Sequence, residues 1–64
     1  MKLILNGTPF EFSGSLLIEL LDQVAPQTPF AVAINTVFIT KSAYATTVLH
    51  ENDVLDIVHP VAGG

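Results

Sequence analysis

The sequence has no cysteine, only two basic side chains and no apolar run near membrane-spanning length. Each absence removes a class of protein. Without cysteine there is no disulfide to brace a small fold and no thiolate to hold a metal. His50 and His59 are the only imidazoles on offer, and a turn and a strand separate them, so both read as solvated surface residues rather than metal ligands. Lys2 and Lys41 stand against six acids, for a net charge of −4. That leaves no basic footprint for nucleic acid and suits a partner with a basic docking face. A membrane helix needs roughly 18 or more consecutive apolar residues. Asn6-Gly7 also ends the opening run Leu3-Ile4-Leu5 too early for a signal peptide. The expected location is the cytoplasm, with no membrane partner.

What remains is a short and apolar chain. Its 64 residues are 50% hydrophobic and 12% charged. A chain of this size forms one domain and buries only about 60% of its unfolded surface, which makes for marginal stability. Hydrophobicity in surplus of so small a core implies that a partner covers part of the surface.

Taken in order, Lys2 to Leu5 alternates as a strand, with Leu3 and Leu5 on one face and Ile4 on the other. Asn6-Gly7 is a strong hairpin signal, because both residues tolerate positive φ. The return strand runs from Thr8 to Phe12, and Pro9, which lacks an N–H, predicts a place at the sheet edge. Ser13-Gly14-Ser15 then offers a hydroxyl to cap a helix. Leu17, Leu20, Leu21 and Val24 recur at helical spacing, opposite Glu19, Asp22 and Gln23, with Leu16 and Ile18 on the flanks. Pro26 ends the helix. A third strand, Phe30 to Ile34, turns at Asn35-Thr36 into a brief fourth, Val37-Phe38-Ile39. Lys41 to Thr47 reads as a loop with a single helical turn and Tyr44 tucked against the core. Glu51-Asn52-Asp53 turns into the last strand, Val54 to Val58, with Leu55 and Ile57 facing inward.

The order β-β-α-β-β-β with one helix is an α+β pattern. A ferredoxin-like fold would need a second helix. The first and last strands are the most apolar and so belong in the middle of the sheet, side by side and parallel, with the helix over one face. The other face falls by subtraction to Lys2, Ile4, Glu11, Ala31, Ala33, Val54, Asp56 and Val58. Ile4, Val54 and Val58 form the candidate docking surface there.

Catalytic patterns are missing. The carboxylates are scattered over turns, helix and strands, no serine sits in a nucleophile motif, and neither a P-loop nor a dinucleotide fingerprint occurs. The chain reads as a partner of enzymes rather than an enzyme. Its distinctive stretch is the end, His59-Pro60-Val61-Ala62-Gly63-Gly64. Glycine lacks Cβ, so a Gly-Gly end can thread a narrow channel and carry its carboxylate to a buried reactive centre. A frayed terminus that happens to end in glycine is the plain alternative. On this reading residues 1–59 form the domain and residues 60–64 a flexible tail.

The whole chain resembles the ubiquitin-like β-grasp sulfur carriers, most closely the thiamine-biosynthesis sulfur carrier (ThiS) family. The likeness rests on the Asn6-Gly7 hairpin, Glu19-Leu20-Leu21, Ala31-Val32-Ala33-Ile34-Asn35, Glu51-Asn52-Asp53 and the terminal Val61-Ala62-Gly63-Gly64. Tyr44 and Lys41 stand where members often carry an aromatic and a basic residue. Two positions depart from the pattern: Asn52-Asp53 replaces the usual Gly-Asp, and Leu16 replaces the Ser or Thr that commonly caps the helix.

The resemblance implies a mixed four- to five-stranded β-grasp sheet with one helix on one face. It also implies a function. An ubiquitin-activating-type enzyme would use ATP to adenylate the Gly64 carboxylate, the chain itself binding no cofactor. Sulfur from a cysteine desulfurase or another persulfide source would displace AMP, leaving a thiocarboxylate from which thiazole synthase takes sulfur for the thiazole ring of thiamine. Pro60, Val61, Ala62, Gly63 and Gly64 would be the tail that enters the partners' active sites. A chain with no cysteine cannot hold sulfur as a persulfide, so its carboxyl end is the available attachment point. Three other readings stand beside this one: a carrier for molybdenum-cofactor synthesis or transfer-RNA thiolation, a modifier joined to lysines through Gly64, and a small β-grasp binding module with an incidental tail.

Overall fold

A computed structural model describes residues 1–60. The elements are β1 (Lys2–Leu5), β2 (Thr8–Glu11), α1 (Leu17–Val24), β3 (Ala31–Ile34), β4 (Val37–Ile39), a 3₁₀ turn (Lys41–Ala43) and β5 (Val54–Val58). The five strands make one mixed sheet in the order β2-β1-β5-β3-β4. β1 and β5 lie side by side and parallel, with Ile4 beside Val54. The two hairpins β1–β2 and β3–β4 are antiparallel, as is β3 against β5.

Both hairpins close through left-handed residues. Asn6 and Gly7 have φ of 48° and 80°, and Asn35 and Thr36 have 49° and 73°. Two successive positive φ values give the turn whose twist suits a two-residue hairpin. β2 sits at one edge, where the missing N–H of Pro9 disturbs no inner ladder. It stops at Glu11, one residue short of the sequence expectation, but Phe12 still donates its N–H to the Met1 carbonyl at 2.9 Å and buries its ring.

The helix start corrects the expected serine cap. The N-cap is Leu16, whose side chain has no acceptor, and no side chain there takes a helix N–H. Glu19 acts from inside the first turn instead. Its Oε1 accepts the N–H of Leu16 at 2.8 Å and of Ser15 at 3.0 Å, with the Ser15 hydroxyl at 3.4 Å. Only the glutamate half of a capping box therefore operates. The same bonds hold the Glu19 carboxyl below its ordinary pKa, the Ser15 N–H contributing most and the Leu16 N–H next. At the other end Ala25 takes a left-handed φ of 50° and returns its N–H to the Leu21 carbonyl, just before Pro26.

The core lies between α1 and the sheet. Leu3, Leu17, Leu20, Val32, Leu49 and Leu55 are almost wholly removed from water. Burying such a leucine stabilises the fold by roughly 1.5–3 kcal/mol. Tyr44 is buried as expected, its ring stacked on Phe30 at 6.3 Å between centroids. Phe30 thus precedes β3 instead of starting it. Leu49 has no place in the strand and helix pattern. It enters the core because the loop pairs with the helix approach: Val48 bridges Leu16, Leu17 donates to the Thr47 carbonyl, and Leu49 donates to that of Ser15.

Candidate functional site

Strand alternation and register build the face of the sheet opposite α1. Val54, Asp56 and Val58 are alternate residues of β5 and share that face. Ile4 joins them by lying beside Val54. Asp56 lies opposite Ala33 on β3, and Ala33 opposite Phe38 on β4. The row Asp56, Ala33, Phe38 therefore crosses three strands. A shallow, open depression of about 550 Å³ occupies this region, lined by Asn6, Ala33, Phe38, Asp56 and Val58 among others.

Of the predicted docking residues, Ile4 and Val54 are brought together, the first half-buried and the second 39% exposed. Val58, 43% exposed, lies four residues further along β5, on the order of 13 Å away at strand spacing. Between them stands Asp56, half-buried. The face is thus an apolar surface divided by one carboxylate. Ala33 is buried, because a methyl group between taller neighbours cannot reach the surface.

Sequence reasoning passed over Phe38. It is 66% exposed, the most exposed of the large apolar side chains among the described residues. The signal was present in the turn. A two-residue connection at Asn35-Thr36 sets Ile34 opposite Val37 and hence Ala33 opposite Phe38, which puts the ring on the face of Ala33.

Side-chain hydrogen bonds tie β5 to its neighbours beneath this face. The Asn6 Oδ1 accepts the N–H of Ile57 at 2.7 Å. Asn35 donates its amide to Asp53 Oδ1 and accepts the N–H of Val54, both at 3.0 Å. Asp53 also accepts the His50 N–H at 2.9 Å. β5 is thereby held between β1 and β3 along its length, and from its end the chain runs into exposed His59 and Pro60. Val61, Ala62, Gly63 and Gly64, the greater part of the predicted tail, lie outside the described residues. Among the described residues no three of His, Cys, Asp and Glu come together as a metal site, and no helix is long and apolar enough to cross a membrane.

The model of the ThiS family matches residues 3–64, nearly the entire chain. The chain belongs to the ThiS family. The fold agrees with that membership. A crystal structure of a thiamine biosynthesis protein, ThiS from Geobacter metallireducens, superposes with a TM-score of 0.87 at 26% identity, covering all of both chains. A solution structure of a thiamine biosynthesis protein from the same organism gives 0.77 at 25% identity, over all of this chain and 88% of the other. The architecture is therefore the ubiquitin-like β-grasp. A thiazole synthase of Paramagnetospirillum magneticum (strain ATCC 700264 / AMB-1) is 36% identical over 66 aligned residues. The match takes in all of this chain but only 20% of that protein, so the chain spans about a fifth of its length.

Proposed function

We propose that the chain is a sulfur carrier of thiamine synthesis, working as a protein co-substrate, with the Gly64 carboxylate as the group that is loaded. One observation carries the reading: the family match runs from residue 3 to residue 64 and so takes in the terminal glycine pair. A carboxylate is a poor electrophile until one oxygen becomes a leaving group. An ubiquitin-activating-type enzyme supplies this by transferring AMP from ATP to Gly64 and releasing pyrophosphate, while the carrier binds no nucleotide itself. Sulfide sulfur then attacks the carbonyl carbon, AMP departs and a thiocarboxylate remains. If a cysteine desulfurase delivers a persulfide, the acyl disulfide first formed takes two electrons from a thiol to give the same product.

Thiazole synthase is the proposed acceptor of that sulfur. The likeness of the whole chain to part of a thiazole synthase favours thiamine over the molybdenum-cofactor and transfer-RNA alternatives. The proposed docking surface is Ile4, Val54 and Val58 with Phe38 added. From Val58 to Gly64 six residues can span at most about 20 Å. An enzyme that grips this face must therefore hold its reactive centre within that radius. Pro60 biases His59 toward extended angles.

The test incubates the purified chain with an activating enzyme, ATP and a sulfur source, followed by intact and fragment mass measurement. The expected result is one oxygen exchanged for one sulfur at Gly64. Fragmentation is needed because oxidation of Met1, the sole methionine, has nearly the same nominal mass. A chain lacking Gly63 and Gly64 should acquire no sulfur. If neither an adenylate nor a thiocarboxylate forms with any activating enzyme, the carrier reading fails and a binding module remains.

A further inference from the structure

We propose that the chain self-associates through the outer edge of β4, which no strand among the described residues pairs, pairing antiparallel with β4 of a second copy. Antiparallel ladders alternate residues whose backbone groups face a neighbour with residues whose groups face away from it. On β3 the odd residues face β5: Asn35 donates its N–H to the Val54 carbonyl at 2.7 Å, and Ala33 lies opposite Asp56. Phe38, across from Ala33 on the other side, therefore turns its N–H and C=O outward, away from the sheet.

The two edges of this sheet differ. β2 carries Pro9 and Glu11, a missing donor and a charge, both of which discourage strand addition. β4 reads Val-Phe-Ile, without proline or charge, and Val37 and Phe38 are 62% and 66% exposed. A second copy suits this edge. With a two-fold axis at Phe38, its N–H and C=O bond reciprocally to those of the other Phe38, and each Val37 meets the Ile39 of the second copy. Past the ends of the paired strands, Lys41 at the start of the 3₁₀ turn falls on the side of the second copy's Asn35 turn, where the Asp53 carboxylate holds the Asn35 amide. Lys41 is the only charge between residues 35 and 41, so no like charges meet at the seam. The net charge of −4 repels only from a distance and is screened by salt. So short a strand buries far less than the roughly 1,200 Å² of a stable interface. The pair is a weak one that any partner gripping Phe38 displaces. It stands independently of the sulfur-carrier reading.

The test is sedimentation equilibrium from about 10 µM to about 1 mM, at low and high salt, with amide exchange read by NMR at both ends of the range. The mass should rise toward that of a dimer, more so at high salt, and the Phe38 N–H should gain protection with concentration. Phe38→Glu should weaken association at least tenfold. Thr40→Pro should do the same, since proline fits its φ of −70° and deletes only an N–H that no backbone carbonyl among the described residues accepts. Val48→Glu, at an exposed valine outside β4, should leave association unchanged. A monomer throughout the range overturns the proposal, as does a dimer that leaves Phe38 exchange unaltered or that survives both β4 variants.

Discussion

Phe38→Ala separates docking from folding. A phenylalanine side chain buries about 150–250 Å² when fully covered. Phe38 is 66% exposed in the free chain, so a partner has roughly 100–165 Å² of it left to cover. At about 25 cal/mol per Å² this corresponds to about 2.5–4 kcal/mol. Alanine retains part of that area, and ordering the ring offsets some of the gain, which leaves a loss of about 1.5–3 kcal/mol. The Kd for an activating enzyme should then rise roughly 10- to 150-fold. Stability should move by no more than about 0.5 kcal/mol, because a side chain so exposed packs little at home. Titration calorimetry on wild type and variant at low micromolar concentration, below the range of self-association, gives the first quantity; urea unfolding gives the second. A Kd within twofold of wild type would refute the assignment of Phe38 to the docking surface. So would a loss of binding that tracks a loss of stability.

Three other perturbations address what holds the face in place. Leu20, fully buried on α1, should cost about 2–5 kcal/mol as Leu20→Ala, against about 3–10 kcal/mol available to a domain of this length; a loss under about 1 kcal/mol in urea unfolding would mean that α1 does not seal the sheet. Asn35→Ala removes two hydrogen bonds worth about 0.5–1.5 kcal/mol each and leaves a Cβ residue without them at φ 49°. Asn35→Gly removes the bonds but not the backbone freedom, so it should be the milder of the two by thermal unfolding, and the reverse order would contradict the turn assignment. For Glu19, whose folded pKa is lowered by the Ser15 and Leu16 N–H groups, the contribution to stability is complete above the ordinary glutamate value. It is lost as pH falls through the lowered folded value. Wild type should therefore exceed Glu19→Gln at neutral pH by a margin that vanishes in acid, and a margin independent of pH would exclude the charged cap.

Residues whose environment is set by near neighbours in sequence were legible. Asn6-Gly7 announces its hairpin because few other pairs accept two positive φ values, and Pro9 announces an edge because it has no N–H. The leucine stripe of α1 and the alternation of β5 follow from period alone. Contacts made across the fold were not legible in that way. Leu49 is almost fully buried through a pairing of Val48 with Leu16 that no local pattern encodes. The helix cap was misplaced because Ser15 offers a hydroxyl, yet the Leu17 and Ile18 N–H groups that a cap at Ser15 would take are accepted by the Thr47 and Tyr44 carbonyls, and Glu19 takes the Ser15 and Leu16 N–H groups with a charged acceptor. Phe38 is an intermediate case, since its face follows from the register of a turn whose length the sequence does state.

The arrangement of β5 bears on how the proposed docking would serve the proposed chemistry at Gly64. Val54, Asp56 and Val58 face outward from the same strand whose Leu55 and Ile57 face the core. That strand has neighbours bonded on both sides, and the Asn6 side chain takes the Ile57 N–H as well. An enzyme that docks on the outward residues therefore grips the strand from which the tail departs. Docking position and tail reach become one quantity: a partner displaced by one residue along β5 finds the end of the strand moved by about 3.3 Å, and the docking side chains, which recur every second residue, no longer meet their pockets. Asp56 has a role in this account. A carboxylate at the centre of an apolar surface costs free energy to cover unless the partner supplies a cation opposite it, so it admits partners with a matching base in one register and opposes slid ones. Asp56→Asn should therefore lower the affinity of the right partner and narrow its advantage over an activating enzyme from another sulfur pathway. A selectivity left unchanged would mean that the apolar residues alone set the register.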